Sequence, residues 1–402
     1  MNILFLSMVN IRSLKTHGIY EDCLREFVKR GHTVYAVTPT ERRNGENTTL
    51  IEETGAKLLK VRTGNLQKTN LLEKGVATLM VEGQFIRAIK KYFKGVKFDL
   101  VLYSTPPITF AKVVAFVKKR DGARSYLMLK DIFPQNAVDL GMLKKTGLKG
   151  VIYKFFRRKE KRLYAFSDTI GCMSEANVKY VLANNPEVDK DKVEICPNCV
   201  EIRDLSVSNA TRTAMREKYG LPQDKRIFVY GGNLGKPQGI DFLIECLRSQ
   251  KQENAFFLIV GDGTEYGKLE AFIQEEHPQN VTLMKRLPKE DYDKLVSACD
   301  IGMIFLDKRF TIPNFPSRLL AYMQAKLPVL CCTDENTDVG AVAKAGGFGW
   351  SCVSDKVEAF LSCVQSALKA DVIAMGENAY AYLQAHYSAE TAYTVIMEGN
   401  RV

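Results

Sequence analysis

Short apolar runs alternate with amphipathic stretches along almost the whole chain. "NILFLS" at the start predicts a β-strand, followed by a loop to Gly18. From Ile19 to Arg30 the apolar positions fall at helical spacing, and Gly31 supplies a helix stop. "HTVYAVTP", "FDLVLYSTPP" and "SYLMLKDIFP" predict further strands, the last two closing on proline and small residues. Between those two, "ITFAKVVAFVKKRDG" predicts a helix. Continuous apolar strands separated by helices predict a parallel sheet covered on both faces. "EICPNCVEI" reads as a last strand and a linker. The cycle then restarts after "REKYGLP", with strands at "RIFVYGG", "AFFLIVGDG", "VTLMKRL", "IGMIFLD" and "PVLCCTD" and helices between them. The expected fold class is α/β: two Rossmann-like parallel-sheet domains, residues 1–200 and 201–375, facing across a cleft. Residues 376–402 read as one or two closing helices. The halves share an architecture but no sequence repeat.

Composition supports two folded domains and changes the picture in one respect. With 402 residues and 46% hydrophobic content there is ample material for real cores. No apolar run reaches bilayer-spanning length. The apolar start lacks a charged leader and a cleavage site, so it reads as a strand and not a signal peptide. The charge is lopsided. Residues 1–200 hold 35 Lys/Arg against 20 Asp/Glu, +15, whereas residues 201–402 hold 22 against 26, −4. That field points to an anionic partner for the first half: nucleic acid, an anionic membrane or a phosphorylated lipid. Neither an aromatic–basic RNA motif nor a recognition-helix pattern is present, so no nucleic-acid partner is expected. The ten cysteines are scattered and read as reduced thiols. Cys196 and Cys199 form a lone CxxC that reads as a loop feature. The four histidines are too dispersed to argue for zinc.

Ligands of open α/β sheets bind beyond the carboxyl ends of the strands, so the loops there carry the chemistry. "VYGGNLGKPQGIDFL" breaks a strand into Gly231, Gly232 and Gly235 before a helix begins. Backbone amides, a helix N-terminus and Lys236 together suit a phosphate; the plainer reading is a tight turn whose glycines serve geometry alone. "LIVGDGTE" is a second glycine-rich strand end. In "FTIPNFPSRLLAYMQAKLPVL", Pro316 and Ser317 predict a helix start with Ser317 as N-cap and Arg318 in the first turn. Three phosphate-suited loops in one domain are harder to explain by geometry alone than one.

At these residues the chain resembles the retaining glycosyltransferases of family 4, which have the GT-B fold. More closely it is similar to the branch that builds bacterial surface polysaccharides, including transferases of N-acetylated amino sugars such as fucosamine. The resemblance runs through "KRGHTVYAVTP", "LYSTPP", "LKDIFPQNAVDLGML", "RLYAFSDTIGCMSEAN", "EICPNCVEI", "YGGNLGKPQG", "VGDGTE" and "PSRLLAYMQAKLPVL", in that order. It implies that the second domain binds a nucleotide-sugar donor, usually a UDP-sugar. Gly231, Gly232, Asn233, Lys236 and Gln238 would border its phosphates and sugar; Gly261, Asp262 and Gly263 would border the nucleotide. Pro316, Ser317 and Arg318 would hold the diphosphate. The first domain would bind the acceptor, with His17, Gly18 and Ser104 on that side. Asp131 falls where the family brings a polar side chain toward the reacting sugar. The closing helices would cross back to the first domain. Asp131, Lys236 and Arg318 are the expected catalytic set, with no metal and no cofactor.

Two departures stand out. Many family members carry a spaced pair of glutamates before the final strand; the aligned positions here are Pro313 and Ala321. An Arg/Lys pair often clamps the diphosphate; Asn233 and Gln238 stand there instead. Glu335 and Asp338, after the next strand, are candidate substitutes.

"LKKTGLKGVIYKFFRRKEKRLYAF" (Leu143–Phe166) contains nine basic residues and one acid, with Val151, Ile152, Phe155, Phe156 and Leu163 at helical spacing. It reads as a basic amphipathic helix for an anionic membrane surface, or as an ordinary helix packing its apolar stripe on the sheet. The first reading suits a lipid-linked saccharide acceptor and a cytoplasmic protein peripheral on the inner face of the plasma membrane. Competing readings are a catalytically silent nucleotide-sugar-binding subunit, motivated by Pro313 and Ala321, and a nucleotide-sugar epimerase of related fold.

Overall fold

The computed structural model describes residues 1–65 and 71–399. It divides into two compact units, residues 1–201 with 389–402, and residues 202–388.

Unit 1 runs β1 (Asn2–Leu6), α1 (Ile19–Lys29), β2 (Thr33–Glu41), β3 (Thr49–Glu53), β4 (Ala56–Thr63), α2 (Leu71–Tyr92), β5 (Leu100–Ser104), α3 (Ala111–Asp121), β6 (Arg124–Leu129), α4 (Gln135–Asp139), α5 (Gly147–Phe166), β7 (Thr169–Cys172), α6 (Glu175–Asn184) and β8 (Val193–Ile195). The strands form one sheet in the order β3-β4-β2-β1-β5-β6-β7-β8. In β1, Ile3, Leu4, Phe5 and Leu6 are all fully buried, which is why the strand is apolar without alternation. One pairing departs from the expected all-parallel sheet: β3 runs antiparallel to β4. Thr54 and Gly55 join them, and Gly55 sits at φ +74°, where a side chain would be strained.

The C-terminal helix Ala389–Glu398 belongs to this unit and sends Ala392, Val395 and Ile396 into its core. Tyr393 meets Phe27 edge-on at 4.9 Å and its hydroxyl lies 2.8 Å from His32 Nε2. The returning segment therefore begins at Ala389, later than residue 376 as expected from the sequence. Residues 400–402 of that segment lie outside the described residues.

Unit 2 runs α7 (Asn209–Lys218), β9 (Arg226–Asn233), α8 (Ile240–Ser249), β10 (Ala255–Asp262), α9 (Tyr266–Glu276), β11 (Val281–Met284), α10 (Lys289–Ser297), β12 (Ile301–Phe305), α11 (Arg318–Gln324), β13 (Val329–Thr333), α12 (Val339–Ala345), β14 (Gly349–Val353), α13 (Val357–Lys369) and α14 (Val372–His386). Its sheet order is β11-β10-β9-β12-β13-β14, parallel throughout. Helix α8 turns Ile240, Leu243, Ile244 and Leu247 inward onto Phe228, Phe257 and Phe305. Each such side chain removed from water contributes about 1.5–3 kcal/mol before chain entropy is counted.

In each sheet the chain reverses its direction of winding once. The reversal lies between β1 and β5 in unit 1 and between β9 and β12 in unit 2. Loops diverge at such a point and leave a crevice at the carboxyl ends of the strands. Among the described residues no single helix is long and apolar enough to cross a membrane. The bent pair α13–α14 passes on length and composition only, and α13 buries Phe360, Val364 and Ala367 in the unit 2 core.

Candidate functional site

The glycine-rich turn after β9 sits at the reversal point of unit 2. Gly232 is exposed and adopts φ +126°, a conformation that glycine alone enters easily. Its neighbours are glycine for a different reason. A Cβ on Gly261 would lie 2.0 Å from the Gly232 carbonyl oxygen, and one on Gly263 would lie 2.3 Å from the Leu234 carbonyl oxygen. The ends of β9 and β10 and the residues just beyond them thus pack backbone against backbone, tied by Leu234 N–H to Asp262 O and Glu265 N–H to Leu234 O, each 2.9 Å. Gly261 and Gly263 serve this close approach, and Gly232 is the glycine left facing solvent.

The turn's amides and amide side chains are largely committed to the turn itself. Gln238 is buried, and its Oε1 accepts from Asn233 Nδ2 at 2.8 Å and from Gly235 N–H at 3.2 Å. Gln238 N–H donates to Gly235 O and Gly239 N–H to Lys236 O. Asn233 and Gln238, expected to border donor phosphates and sugar, here brace the loop against each other. With the N–H groups of Leu234, Gly235, Gln238 and Gly239 occupied, cations have to supply more of any anion site than the glycines suggested. Lys236 is exposed on this turn. Asp262 is exposed too, and its Oδ1 accepts from Gly263 N–H at 2.9 Å.

Arg318 opens α11 and brings the second cation to Gly232. A Cβ on Gly232 would lie 3.7 Å from Arg318 Nη2. The guanidinium stacks over the Tyr230 ring, with Cζ 4.4 Å from the centroid. Its Nη1 is buried and, among the described residues, has no hydrogen-bond partner. A guanidinium is always charged and has five N–H donors, and a buried donor left unmade costs about 1–3 kcal/mol, more when charged. An anionic acceptor at Gly232 would remove that cost. Ser317 precedes α11 in a helical conformation (φ −63°, ψ −17°), exposed, and its side chain makes no capping bond. The expected N-cap role is therefore corrected: the backbone has already turned helical at Ser317, so its hydroxyl is not directed back at the first amides.

The loop leading to Pro316 is held from β13. Asp334 is buried and accepts from Asn336 N–H, Thr337 N–H and Thr337 Oγ1 at 2.9–3.0 Å. Burial raises its pKa above the usual carboxylate value against these bonds. Thr337 Oγ1 in turn accepts from Asn314 N–H at 3.0 Å. Glu335 next to this network is exposed, and Asp338 is half-buried just before α12. Pro313 is buried and Ala321 half-buried; neither has a carboxylate to offer.

In unit 1, His17 and Gly18 lie on the loop after β1, Ser104 ends β5, and Asp131 follows β6. The first three thus belong to the β1/β5 reversal. Asp22 organises the loop after β1: its Oδ1 is 3.2 Å from His17 Nδ1 and accepts from Gly18 N–H at 3.4 Å, and its Oδ2 accepts from Glu201 N–H at 2.9 Å. His17, Asp22 and Glu201 have the spacing of a metal-ligand cluster. Arg25 occupies its centre, paired with Asp22, with Glu201 at 3.0 Å and 3.1 Å from His17 Nδ1. That guanidinium already supplies the positive charge a cation would bring. Ser104 is fully buried. Asp131 accepts from Asn136 Nδ2 at 2.8 Å through both carboxylate oxygens, and burial pushes its pKa up to about 6. Burial likewise lifts the neighbouring Tyr20 phenol to about 12.

Two family models match the chain, one on each half. "Glycosyltransferase Family 4" matches residues 20–204 and "Glycosyl transferases group 1" residues 211–382. The chain is a GT-B glycosyltransferase. It is 24% identical to the probable glycosyltransferase WbjE of Pseudomonas aeruginosa over 80% of this chain and 78% of that one. It is 26% identical to WcaI of Escherichia coli K12, a putative colanic acid biosynthesis glycosyl transferase, over 67% and 66% of the two chains. Among solved structures, Anabaena HepE in complex with UDP superposes with a TM-score of 0.70 over 99% of both chains at 15% identity, a likeness of fold.

Three tyrosines of this glycosyltransferase were not anticipated from its sequence. Tyr230 stacks on Arg318 and donates to Asn233 O at 2.8 Å. Tyr322 Oη accepts from Gly231 N–H at 3.1 Å and lies 3.2 Å from both Val229 O and Met303 O, so it ties β9 to β12. Tyr292 lies against Gly231, where a Cβ would come within 1.6 Å of its hydroxyl. Tyr230 stands beside Gly231 in an apolar run and Tyr322 within an apolar helix, which is also the signal of an ordinary core, and Tyr292, between Asp291 and Asp293, had no signal at all.

Proposed function

We propose that this glycosyltransferase moves a sugar from a UDP-sugar, N-acetylated amino sugars among them, to a polyprenyl-diphosphate-linked acceptor in building a surface polysaccharide. The site would work with retention and without a metal, at the inner face of the plasma membrane. The observation that carries the reading is the unpartnered Arg318 Nη1 beside exposed Gly232, at the carboxyl ends of the unit 2 strands. The likeness to WcaI, a putative colanic acid biosynthesis glycosyl transferase, supports the polysaccharide, and the likeness to HepE, solved with UDP, supports the nucleotide.

The chemistry follows from where charge develops. As the bond from the anomeric carbon to the diphosphate oxygen breaks, negative charge gathers on the phosphate oxygens and the sugar takes on oxocarbenium character. Arg318 and Lys236 stabilise that charge, and Arg318 does so from a partly dry setting where the effect is larger. The acceptor hydroxyl attacks from the face the diphosphate leaves, and its proton passes to the departing diphosphate oxygen. No strong base is required, so a carboxylate at positions 313 or 321 is not essential to this step.

Thermal melts with UDP, GDP, ADP and dTDP test the donor side, since a ligand of the folded state raises the melting temperature by mass action. UDP should give the largest rise. Arg318→Ala should lower turnover about 100-fold or more, measured as UDP release with a lipid-linked acceptor; near-normal turnover would remove its role. Ala321 and Pro313 favour one other reading, a silent nucleotide-sugar binder. A UDP-induced rise without UDP release from any UDP-sugar would support it.

A further inference from the structure

Helix α5 leaves its apolar stripe uncovered. Leu148 is 90% exposed, Val151 67%, Ile152 47% and Phe155 41%, and Met142 just before the helix is 55% exposed. The four helical positions follow the i, i+3, i+4, i+7 rule and so form one strip. The helix is held to unit 1 by its other side, where Gly150, Glu160, Leu163 and Tyr164 are buried. Arg157 clamps it by donating to Glu160 Oε2 at 2.5 Å, Asn184 O at 2.8 Å and Asn185 Oδ1 at 2.6 Å. The alternative reading, that the stripe packs on the sheet, therefore fails for the N-terminal half of the helix.

Charge narrows the choice of occupant. The one acid of Leu143–Phe166 is Glu160, buried and paired with Arg157 and Tyr164, so its charge does not reach the surface. Lys144, Lys145, Lys149, Lys154 and Arg158 are exposed around the strip. Apolar side chains flanked along the helix by exposed cations match a layer that is apolar inside and anionic at its face.

We infer that Met142–Phe155 docks this protein on an anionic lipid bilayer, with Leu148, Val151, Ile152 and Phe155 entering the headgroup boundary and the lysines facing lipid phosphates. The inference deepens the membrane part of the proposed function and rests on that reading. It also gives the surface a link to the candidate acceptor side. Phe155 packs on Phe156 at 5.3 Å, Phe156 packs edge-on against Phe133 at 5.0 Å, and Phe133 follows Asp131 by two residues. A bilayer seated on α5 therefore bears on the segment that holds Asp131, and a lipid-linked acceptor would be delivered next to it.

Cosedimentation with phosphatidylglycerol/phosphatidylcholine vesicles and with pure phosphatidylcholine vesicles, using the full chain, tests this. The wild type should favour the anionic vesicles at least about tenfold, and less so as salt rises. Leu148→Ser with Phe155→Ser should weaken vesicle binding about thirtyfold. Lys144→Gln, Lys145→Gln and Lys149→Gln together should weaken it about 100-fold on anionic vesicles only. Both variants should retain the UDP-induced rise in melting temperature, which shows that they fold. Absent binding by the wild type, or binding that neither variant changes, overturns the inference. Loss through the lysines alone overturns insertion of the stripe. A concentration-dependent dimer abolished by Leu148→Ser, without vesicle binding, would assign the surface to a second copy instead. Vesicle binding that persists while UDP gives no thermal shift would count against the donor reading and leave the docking surface standing.

Discussion

Asp131 sits where its charge is unwelcome, and that makes Asp131→Asn a two-sided test. Its pKa rises from 3.8 to about 6, with burial the largest cause and the Asn136 amide working against it. A rise of about two units at 1.36 kcal/mol each gives a ceiling of about 3 kcal/mol for keeping the group ionised above pH 6. The side chain is only half-buried, so solvent screening brings the expectation to about 1–2 kcal/mol. The folded pKa lies above the unfolded one, so the folded state holds the proton more tightly. The group's contribution to stability is therefore full below about pH 4 and is lost as pH rises through about 6. Asparagine removes the titration while keeping size and an acceptor for Asn136. Melting curves of both proteins from pH 4 to pH 8 should converge at the acid end and separate toward pH 8, with the variant melting about 2–6 °C higher. UDP release by the variant should fall at the same time, because a charge kept against its environment is retained where the reaction uses it. A pH-independent gap, or a variant less stable at pH 8, would refute the reasoning about burial. Full turnover in the more stable variant would refute the role at the sugar.

Three further substitutions test unit 2. Tyr322→Phe leaves Gly231 N–H without its acceptor and should cost about 1–3 kcal/mol in denaturant unfolding of unit 2, with weaker UDP binding as the Arg318–Gly232 geometry loosens. Gly261→Ala forces the Gly232 carbonyl to move and should abolish the UDP-induced thermal shift, whereas Gly267→Ala on α9, with open space around the added methyl, should stabilise by about 0.5–1 kcal/mol and leave binding intact.

The sheets were legible because a strand buried on both faces must be apolar along its buried run, as residues 3–6 of β1, 100–103 of β5 and 227–230 of β9 are. The β3–β4 hairpin was missed because β3 is only partly buried and carries Glu52 and Glu53, so it resembles a polar loop; the Thr54–Gly55 turn was its one local mark. Strand β14 was missed for a similar reason, since every residue of "GWSCV" is half-buried and the run lacks a strongly apolar stretch.

The glycine turn was readable because glycine reports on the backbone, and backbone geometry is local. The partners of the turn were not readable, because they come together only in the folded sheet. Nothing near Gln238 in the chain shows that its carbonyl turns inward to Asn233 and Gly235. Nothing near Arg318 shows that its guanidinium will stack on Tyr230 with one donor unmet. That asymmetry bears on the two departures at Pro313 and Ala321. A glutamate at either position would act through its side chain, and Pro313 and Ala321 supply no such carboxylate. The Gly232 backbone and the Arg318 guanidinium do not depend on those positions, and Tyr322 on α11 and the Asp334–Thr337–Asn314 chain in the adjoining loops brace the turn and the loop leading to α11. On the proposed reading, grip on a diphosphate and choice of sugar would therefore be carried by separate parts of this site, so the first would persist while the second changes.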